Sequence, residues 1–255
     1  MKTSYNELAK MIDHSLLHPT MTDDDLIRGC ILAKKYNTAS VCIKPYAVPL
    51  AKELLMGSDV KVGTVIGFPH GNSSVEIKIA EALKACKEGA SEIDMVVNIG
   101  KVLGNNYDFV KNEISLINKE VIKHNAILKV IFENDYLQNS HIIRLCEICS
   151  EINVAFVKTS TGYGFVKQPN GMYSYAGATI EHLKLMRLHT KPSIEVKAAG
   201  GVRTLKDLVT VKSIGVTRVG ATATAEILNE ASELISRGID PSTLADSNAN
   251  LAGGY

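Results

Sequence analysis

Short apolar segments alternate with longer amphipathic segments along almost the whole chain. Eight apolar segments rich in β-branched residues predict strands, and successive ones start about 30 residues apart, the length of one strand–helix unit. Because these segments are continuously apolar rather than alternating, the pattern indicates parallel strands that are buried on both faces. The predicted strands are Met11–His14, Ser40–Ile43, Lys61–Ile66, Glu92–Val97, Leu128–Phe132, Ala155–Lys158, Ile194–Lys197 and Arg218–Gly220.

The segments between these strands repeat apolar residues at the helical period and carry helix-boundary residues. Thr22 and Ser74 are placed to cap the N-termini of two helices. Glycines follow the last periodic residues of three helices, as left-handed C-caps require, at Gly89, Gly215 and Gly238. The predicted helices are Asp23–Tyr36, Ser74–Glu88, Tyr107–Lys123, Gln138–Glu151, Thr179–Leu188, Leu205–Ser213 and Ala225–Arg237.

Eight strand–helix units favour an α/β fold of the (β/α)8 TIM-barrel class in a single domain. A doubly wound open sheet gives the same alternation, but it usually has fewer strands and often carries a G-x-G-x-x-G motif after the first one. No such motif follows Met11–His14, and no Pro/Ser/Gly-rich linker marks a domain boundary. We therefore expect one barrel over residues 1–245 and a flexible polar tail over residues 246–255.

Composition and charge bear on which macromolecules the protein could bind. Of the 255 residues, 45% are hydrophobic, which is enough for a sizeable core, and 28 Lys and Arg nearly balance 27 Asp and Glu. No net field therefore attracts nucleic acid or an anionic membrane. The apolar runs are too short to cross a bilayer, and the first residues lack the apolar core of a secretory signal. The five thinly spread cysteines indicate reduced thiols, so we expect a cytoplasmic protein. From the charge balance and the short apolar runs we expect neither a nucleic-acid nor a membrane partner.

Two lysines end neighbouring predicted strands, at the barrel face where active sites are built. Lys158 closes the segment VAFVK, and Lys197 closes the segment IEVK. Two ammonium groups in one partly desolvated pocket lower the pKa of a lysine, which yields the free amine that attacks a carbonyl group. Each lysine could instead reach solvent or pair with an acid, and composition does not decide which one is the nucleophile.

Asp94 is the natural carboxylate partner of these lysines. It lies within the otherwise apolar run Ile93–Val97, where an unpaired charge is costly. It could hold the charge of a lysine or pass protons, directly or through water. A purely structural salt bridge is the alternative interpretation.

Glycines after the last two predicted strands suit a phosphate group. Gly200 and Gly201 follow Lys197 at a strand-to-helix turn, and Gly220 with Thr222 follows the eighth strand. Backbone N–H groups at such turns bind phosphate, and TIM barrels often use the loops after strands seven and eight for this purpose. A pair of glycines alone is also common in ordinary turns.

Seven motifs occur in order between residues 11 and 222: MIDHSLL, ASVCIKP, KVGTVIGFPHG, SEIDMVVNIG, FVKTSTG, VKAAGGVRT and RVGAT. Together these motifs resemble the 2-deoxyribose-5-phosphate aldolase family, which are class I aldolases with a β/α barrel. The resemblance implies reversible cleavage of 2-deoxy-D-ribose 5-phosphate to D-glyceraldehyde 3-phosphate and acetaldehyde. It also implies a lysine Schiff base as the electron sink, with neither a metal nor a cofactor.

The resemblance assigns roles to residues that match the family motifs. Lys158 would form the Schiff base, Lys197 would lower its pKa, and Asp94 would relay protons. We also expect a homo-oligomer, either a dimer or a tetramer. Substrate or phosphate contacts are implied for Asp13, Ser15, Cys42, Gly162, Gly200, Gly201, Gly220, Thr222 and Tyr255.

The chain departs from the family pattern in two places. Residues 164–176 form a longer loop than usual after FVKTSTGY, with two tyrosines and a lysine, and Ala223 stands where some members have serine. Loops at this barrel face set specificity or act as lids. The same Schiff-base chemistry on a different sugar or keto donor therefore stays open, as does a loop used only for subunit contact or exposed without a role. A non-catalytic sugar-phosphate-binding barrel is the remaining alternative.

Overall fold

Eight parallel strands form the centre of the computed structural model, which describes residues 2–246 and residue 251. They are β1 (Ile12–Leu16), β2 (Ser40–Ile43), β3 (Lys61–Ile66), β4 (Glu92–Val96), β5 (Ile127–Ile131), β6 (Phe156–Lys158), β9 (Glu195–Ala199) and β10 (Arg218–Ala221). Each of these eight strands pairs with the next of the eight along the chain, so β6 pairs with β9, and β10 pairs with β1 to close the sheet. The strands β7 (Val166–Lys167) and β8 (Tyr173–Ser174) form a separate hairpin. The closure confirms the predicted (β/α)8 barrel and excludes the open sheet.

Ten helices connect or flank the strands in the described part of the chain. Their apolar faces pack around the strands and supply much of the buried aliphatic core. They are α1 (Tyr5–Ala9), α2 (Asp23–Tyr36), α3 (Val48–Leu54), α4 (Val75–Glu88), α5 (Ile99–Leu103), α6 (Tyr107–Lys123), α7 (Asn139–Ile152), α8 (Ile180–His189), α9 (Leu205–Ser213) and α10 (Thr224–Ser236). Short 3₁₀ turns cover Pro45–Ala47, Asn134–Tyr136 and Pro241–Leu244.

The helix boundaries follow local capping chemistry. The Thr22 side chain accepts a hydrogen bond from the backbone N–H of Asp25, and the Asp25 carboxylate accepts one from the N–H of Thr22. The Ser74 side chain accepts from the N–H of Ile77, and Gly89 ends the same helix with φ +112°. These contacts confirm the predicted caps, since each satisfies backbone groups that a helix end leaves unpaired.

The sequence pattern did not predict the short helices α1, α3 and α5. Each has seven residues or fewer, which is too short for a helical period to stand out. The seven longer predicted helices are confirmed, three with identical bounds and four with ends that differ by one residue.

The inside of the barrel differs from the layer between strands and helices. Charged side chains fill its centre, and Asp13, Asp94, Lys129 and Lys197 are each 0% exposed. Buried charges are costly unless they are paired, so the pairing of these residues defines the interior.

Residues 164–176 lie between β6 and α8, and we call them the 164–176 loop. The loop contains the antiparallel hairpin of β7 and β8. Of the predicted tail, residues 246 and 251 are described, and Tyr255 lies outside the described residues. Within the described residues, no helix is both long enough and apolar enough to cross a bilayer.

Candidate active site

The strand register places the predicted charged residues side by side. Lys158 of β6 pairs with Lys197 of β9, and Asp94 of β4 pairs with Lys129 of β5. Side chains alternate direction along a strand, so residues in register on neighbouring strands share a face. The structure thus brings together the two lysines and the aspartate that the sequence indicated, and it adds Lys129.

Asp94 links the two lysines directly. Its Oδ2 atom lies 2.8 Å from Nζ of Lys158 and 2.8 Å from Nζ of Lys197. Both distances are those of charge-assisted hydrogen bonds. One carboxylate oxygen between two amines provides a direct route for a proton from one nitrogen to the other.

The ion pairs of Asp94 continue into a larger network toward the N-terminal ends of the strands. Asp13 Oδ2 lies 2.5 Å from Nζ of Lys197 and 2.8 Å from Nζ of Lys129. Arg218 contacts Asp13 Oδ1 at 2.6 Å and Glu92 Oε2 at 2.9 Å. Seven residues form what we call the barrel-centre cluster: Asp13, Glu92, Asp94, Lys129, Lys158, Lys197 and Arg218.

The barrel-centre cluster contains four basic side chains and three carboxylates. Burial by itself raises the pKa of Asp94, but the ammonium groups of Lys129, Lys158 and Lys197 outweigh it and hold that pKa well below its usual range. Burial also raises the pKa of Asp13, but Lys129, Lys197 and Arg218 outweigh it and hold that pKa well below its usual range, so both aspartates are ionised. Counted by formal charge, the four basic side chains and three carboxylates leave one positive charge uncompensated. Loss of one lysine proton would make the buried cluster neutral.

Lys158 is the lysine that loses its proton most readily. Burial lowers its pKa, and the neighbouring charge of Lys197 lowers it further, against the opposing effect of Asp94. Burial also acts on Lys197, but there Asp13 and Asp94 outweigh it and hold the pKa above its usual value. The pKa of Lys129 is likewise raised well above its usual value, because three carboxylates outweigh its burial. Lys158 can therefore supply a neutral amine while its neighbours stay charged.

Both Lys158 and Lys197 line a small cavity at the C-terminal ends of the strands, which we call the reaction cavity. It places the Lys158 amine within reach of a small molecule that enters from this end of the barrel. The other lining residues are Ser15, Leu17, Cys42, Thr161, Ala199, Gly200 and Gly220.

One wall of the reaction cavity is apolar. Leu17, Cys42 and Val65 form a small buried cluster, and Phe68 and Tyr163 pack against it. The rings of Phe68 and Tyr163 meet edge to face with centroids 5.6 Å apart. A substrate carbon bound next to the amine therefore meets hydrocarbon on this side, which suits a small unsubstituted group.

A second cavity adjoins the first and is built largely from backbone. Gly200 and Gly201 have φ values of +76° and +93°, a region that favours glycine, and their turn faces the start of the loop after β10. Gly200 and Gly220 line both cavities, so the two lie on either side of the same glycines. We call the second one the phosphate cavity, after the contacts that the sequence predicts for Gly200, Gly201, Gly220 and Thr222. Its lining is Gly200, Gly201, Val202, Arg203, Gly220, Ala221 and Thr222.

The other predicted contact residues have four different placements. Ser15 and Cys42 line the reaction cavity, whereas Asp13 is fully buried in the barrel-centre cluster and contacts Lys197. Gly162, at φ +93°, follows the cavity residue Thr161 in the chain but lines neither cavity. Tyr255 lies outside the described residues.

Sequence reasoning did not single out three members of the barrel-centre cluster. Glu92, Lys129 and Arg218 each carry charge in or at the end of a predicted apolar strand, which was the signal that identified Asp94. Glu92 and Arg218 come first in their strands, where the sequence pattern does not show which way a side chain points. The register that turns them inward is visible only in the folded barrel.

Glu133 is a further buried carboxyl group behind the reaction cavity. It follows β5 with φ +60° and accepts hydrogen bonds from the backbone N–H of Thr161, at 3.2 Å, and from the Thr161 hydroxyl. Burial raises its pKa to about 7. Since Thr161 lines the reaction cavity, Glu133 holds the loop that follows Lys158.

The described residues contain no group of three or more His, Cys, Asp and Glu side chains that could hold a metal ion. Asp13, Glu92 and Asp94 approach one another, but the ammonium and guanidinium groups of the barrel-centre cluster occupy the space between them.

Comparisons with known proteins identify the family of this chain. The sequence profile described as "DeoC/LacD family aldolase" matches residues 8–224. A deoxyribose-phosphate aldolase of Rhodopirellula baltica is 49% identical over 227 residues, which cover 89% of this chain and 90% of that protein. A deoxyribose-phosphate aldolase of Treponema denticola is 45% identical over 217 residues, which cover 85% of this chain and 96% of that protein.

Solved structures give the same result. A structure described as the unique tetrameric structure of deoxyribose phosphate aldolase from Aeropyrum pernix superposes with a TM-score of 0.80 at 28% identity. The superposition covers 91% of this chain and 93% of that one. The chain described here is an aldolase and belongs to the DeoC/LacD family.

Proposed function

We propose that this aldolase reversibly cleaves 2-deoxy-D-ribose 5-phosphate to D-glyceraldehyde 3-phosphate and acetaldehyde through a Schiff base on Lys158. The observation that carries the proposal is the buried Lys158 amine, held by Asp94 beside Lys197 at the edge of a cavity. The names of the Rhodopirellula baltica and Treponema denticola relatives support this choice of substrate.

The reaction follows from a neutral amine at this position. Nζ of Lys158 attacks the C1 aldehyde of the open-chain sugar, and loss of water gives an iminium ion. A base takes the proton of the C3 hydroxyl, the C2–C3 bond breaks, and its electron pair moves into the iminium to give an enamine. D-glyceraldehyde 3-phosphate leaves. Protonation of the enamine at C2 and hydrolysis of the iminium then release acetaldehyde and the free lysine.

Asp94 and Lys197 support these steps with opposite charges. Lys197 keeps its proton because Asp13 and Asp94 face it, and its charge lowers the pKa of Lys158. When Lys158 becomes an iminium, Asp94 already lies 2.8 Å from its nitrogen and offsets the new positive charge. The bridging carboxylate can also return a proton during hydrolysis.

The rest of the substrate fits the two cavities. The apolar wall beside the amine suits the unsubstituted C2 carbon that becomes the methyl group of acetaldehyde. The turn at Gly200 and Gly201, with Gly220 and Thr222, suits the 5-phosphate. Ser15 and Cys42 lie at the reacting end. Contacts from Asp13, Gly162 and Tyr255 stay predictions.

A second candidate keeps the Schiff base and changes the substrate to another sugar or a keto donor. The 164–176 loop favours it, because the loop lies next to the strand end that carries Lys158. Ala223 favours it too, since it stands at the start of α10 without a side-chain cap, where a serine could donate a hydroxyl contact.

Borohydride trapping separates these candidates. The folded protein is incubated with acetaldehyde or with dihydroxyacetone, reduced, digested and analysed by peptide mass spectrometry. We expect a two-carbon adduct on the Lys158 peptide with acetaldehyde alone, and none in the Lys158→Met variant. An adduct with the ketone would move the donor to the second candidate. No adduct with either compound would reject the lysine mechanism and favour a non-catalytic sugar-phosphate-binding barrel.

We also infer that the enzyme works in the cytoplasm as a homodimer or homotetramer, in deoxynucleoside breakdown, without a nucleic-acid or membrane partner. The five cysteines are free thiols, which supports a reducing compartment. The tetrameric relative from Aeropyrum pernix supports self-association. Light scattering of the purified protein tests the assembly.

A further inference from the structure

The 164–176 loop is fastened at both ends to the short turn after β5. At one end, the Asp135 carboxylate accepts a hydrogen bond from the backbone N–H of Ala176 at 2.7 Å. At the other end, the Tyr136 hydroxyl accepts one from the backbone N–H of Phe165 at 2.7 Å. The base of the loop is therefore fixed relative to the barrel, although its hairpin reaches into solvent.

The chain that leaves the loop is bonded to the phosphate cavity. The backbone N–H of Ala178 donates to the carbonyl oxygens of Ala199 and Gly200, at 3.1 Å each. In a trans peptide the N–H points opposite to the carbonyl of the same plane. The N–H groups of Gly200 and Gly201 share those two planes, so both point away from Ala178. They belong to the two glycines that line the phosphate cavity.

Tyr175 fills the space behind the same turn. Its hydroxyl oxygen lies 2.0 Å from the position that a Cβ atom on Gly200 would occupy, and 2.9 Å from that position on Gly177. Its ring lies 3.0 Å from the corresponding position on Gly164, at the start of the loop. The side chain thus spans from the loop entrance to the glycine that both cavities share.

A turn with two adjacent glycines needs such support. Glycine has the widest choice of backbone conformations, so Gly200 and Gly201 would sample many orientations of their N–H groups if nothing packed against them. A binding site that must be ordered when the ligand arrives loses affinity for that ligand. Tyr175 and the Ala178 N–H restrict the turn before phosphate binds.

We propose that Tyr175 is a positioning residue that holds the Gly200 turn in the orientation that binds the substrate phosphate. The inference rests on the proposed function and adds to it a role for the 164–176 loop in phosphate affinity. Tyr175 lines neither of the two cavities, so it acts through Gly200 rather than on the substrate. The Lys158 amine is held by Asp94 and not by this turn.

Steady-state kinetics with a phosphorylated and an unphosphorylated substrate test the proposal. For Tyr175→Ala we expect KM for 2-deoxyribose 5-phosphate to rise about tenfold with kcat within about twofold, and kcat/KM for 2-deoxyribose to stay within about twofold. The matched control is Tyr173→Ala, in the exposed part of the same hairpin, which should match the wild type on both substrates. Equal losses on both substrates, or no change on either, would overturn the proposal.

Binding of inorganic phosphate, measured by calorimetry, separates this proposal from the proposed function. Tyr175→Ala should weaken phosphate binding about tenfold, and Tyr173→Ala should not. If the wild type cleaves no deoxyribose phosphate but Tyr175→Ala still weakens phosphate binding, the function is wrong and the positioning role stands. If inorganic phosphate binds Tyr175→Ala as tightly as it binds Tyr173→Ala and the wild type, the positioning role is wrong whatever reaction the enzyme catalyses.

Tyr175→Phe keeps the test decisive if the alanine variant does not fold. It removes only the hydroxyl that lies over Gly200 and keeps the ring near Gly164. We expect a rise in KM for the phosphorylated substrate that is smaller than for alanine but above twofold, with kcat unchanged. A KM equal to that of the wild type would contradict a role for the hydroxyl contact.

Discussion

Two sets of buried charges in this barrel have different consequences. One is the barrel-centre cluster, and the other is the pair of Lys78 on α4 and Glu113 on α6, whose side chains are both 0% exposed. Lys78 Nζ lies 2.7 Å from Glu113 and donates to the Val96 carbonyl at 2.8 Å. Glu113 also accepts from the backbone N–H of Asn98 at 3.0 Å. The pair ties two helices to the end of β4.

Burial lowers the pKa of both Lys78 and Lys158, so the direction of the pKa shift does not distinguish them. The two lysines differ instead in charge balance and in access to a cavity. Lys78 faces one carboxylate of its own, whereas Lys158 shares Asp94 with Lys197 in a cluster with one excess basic group. Lys158 also lines a cavity. A buried lysine becomes a nucleophile where its charge is uncompensated and a substrate can reach it.

The largest expected effect comes from Lys158→Met. We expect kcat/KM for 2-deoxyribose 5-phosphate to fall by at least about 10⁴-fold, because the Schiff base cannot form. The free energy of unfolding should stay equal or rise, because three cations and three carboxylates remain in the cluster. Enzyme assays and urea unfolding measure the two quantities. A loss of about 2 kcal/mol or more would show that Lys158 stabilises the fold, against the charge argument.

Lys78→Met should give the opposite result. Removing one partner of a fully buried pair leaves the Glu113 carboxylate uncompensated, so we expect the free energy of unfolding to fall by about 3–5 kcal/mol. The kcat per folded molecule should stay within about twofold. The matched control is the double variant Lys78→Met/Glu113→Leu, which removes both charges and should recover most of the stability. A double variant as unstable as the single one would indicate that the contacts to Val96 and Asn98, not the charges, matter most.

The contrast between these two lysines was only half visible in the sequence. Lys158 ends an apolar strand, and that pattern alone marked it as unusual. Lys78 lies in an amphipathic helix where a lysine is ordinary, and its partner Glu113 is in a different helix. Nothing in the helical period of either segment predicts that the two polar residues turn inward and meet.

The fold was predictable because each strand is continuously apolar and each long helix has a clear period. Charge that interrupts an apolar strand identified Asp94 and Lys197, although the same signal at Lys129 was passed over. Glu92 and Arg218 were missed because their inward direction depends on how the barrel closes. The role of Tyr175 was missed as well, because its contact with Gly200 joins two loops that follow different strands.

Glu133 is a third kind of buried charge and gives the smallest of these effects. Its carboxyl accepts hydrogen bonds from Thr161, and among the described residues it forms no ion pair. Burial raises its pKa from 4.5 to about 7, so the folded protein binds a proton there that the unfolded chain has already released between these pH values. The stability that this proton provides is fully present below pH 4.5 and is lost as the pH rises through about 7.

Replacement of Glu133 by glutamine removes this dependence, because an amide oxygen can still accept from Thr161 but does not ionise. Between pH 5 and pH 8 we expect the wild type to lose about 2–3 kcal/mol of unfolding free energy relative to Glu133→Gln. Urea unfolding at pH 5, 6, 7 and 8 measures the difference, with Glu230→Gln on the exposed face of α10 as the control that should follow the wild type. Parallel curves for the wild type and Glu133→Gln would mean that a group near Glu133 compensates its charge, as Lys78 does for Glu113. The buried carboxyl behind the reaction cavity would then belong with the balanced pair and not with the unbalanced cluster.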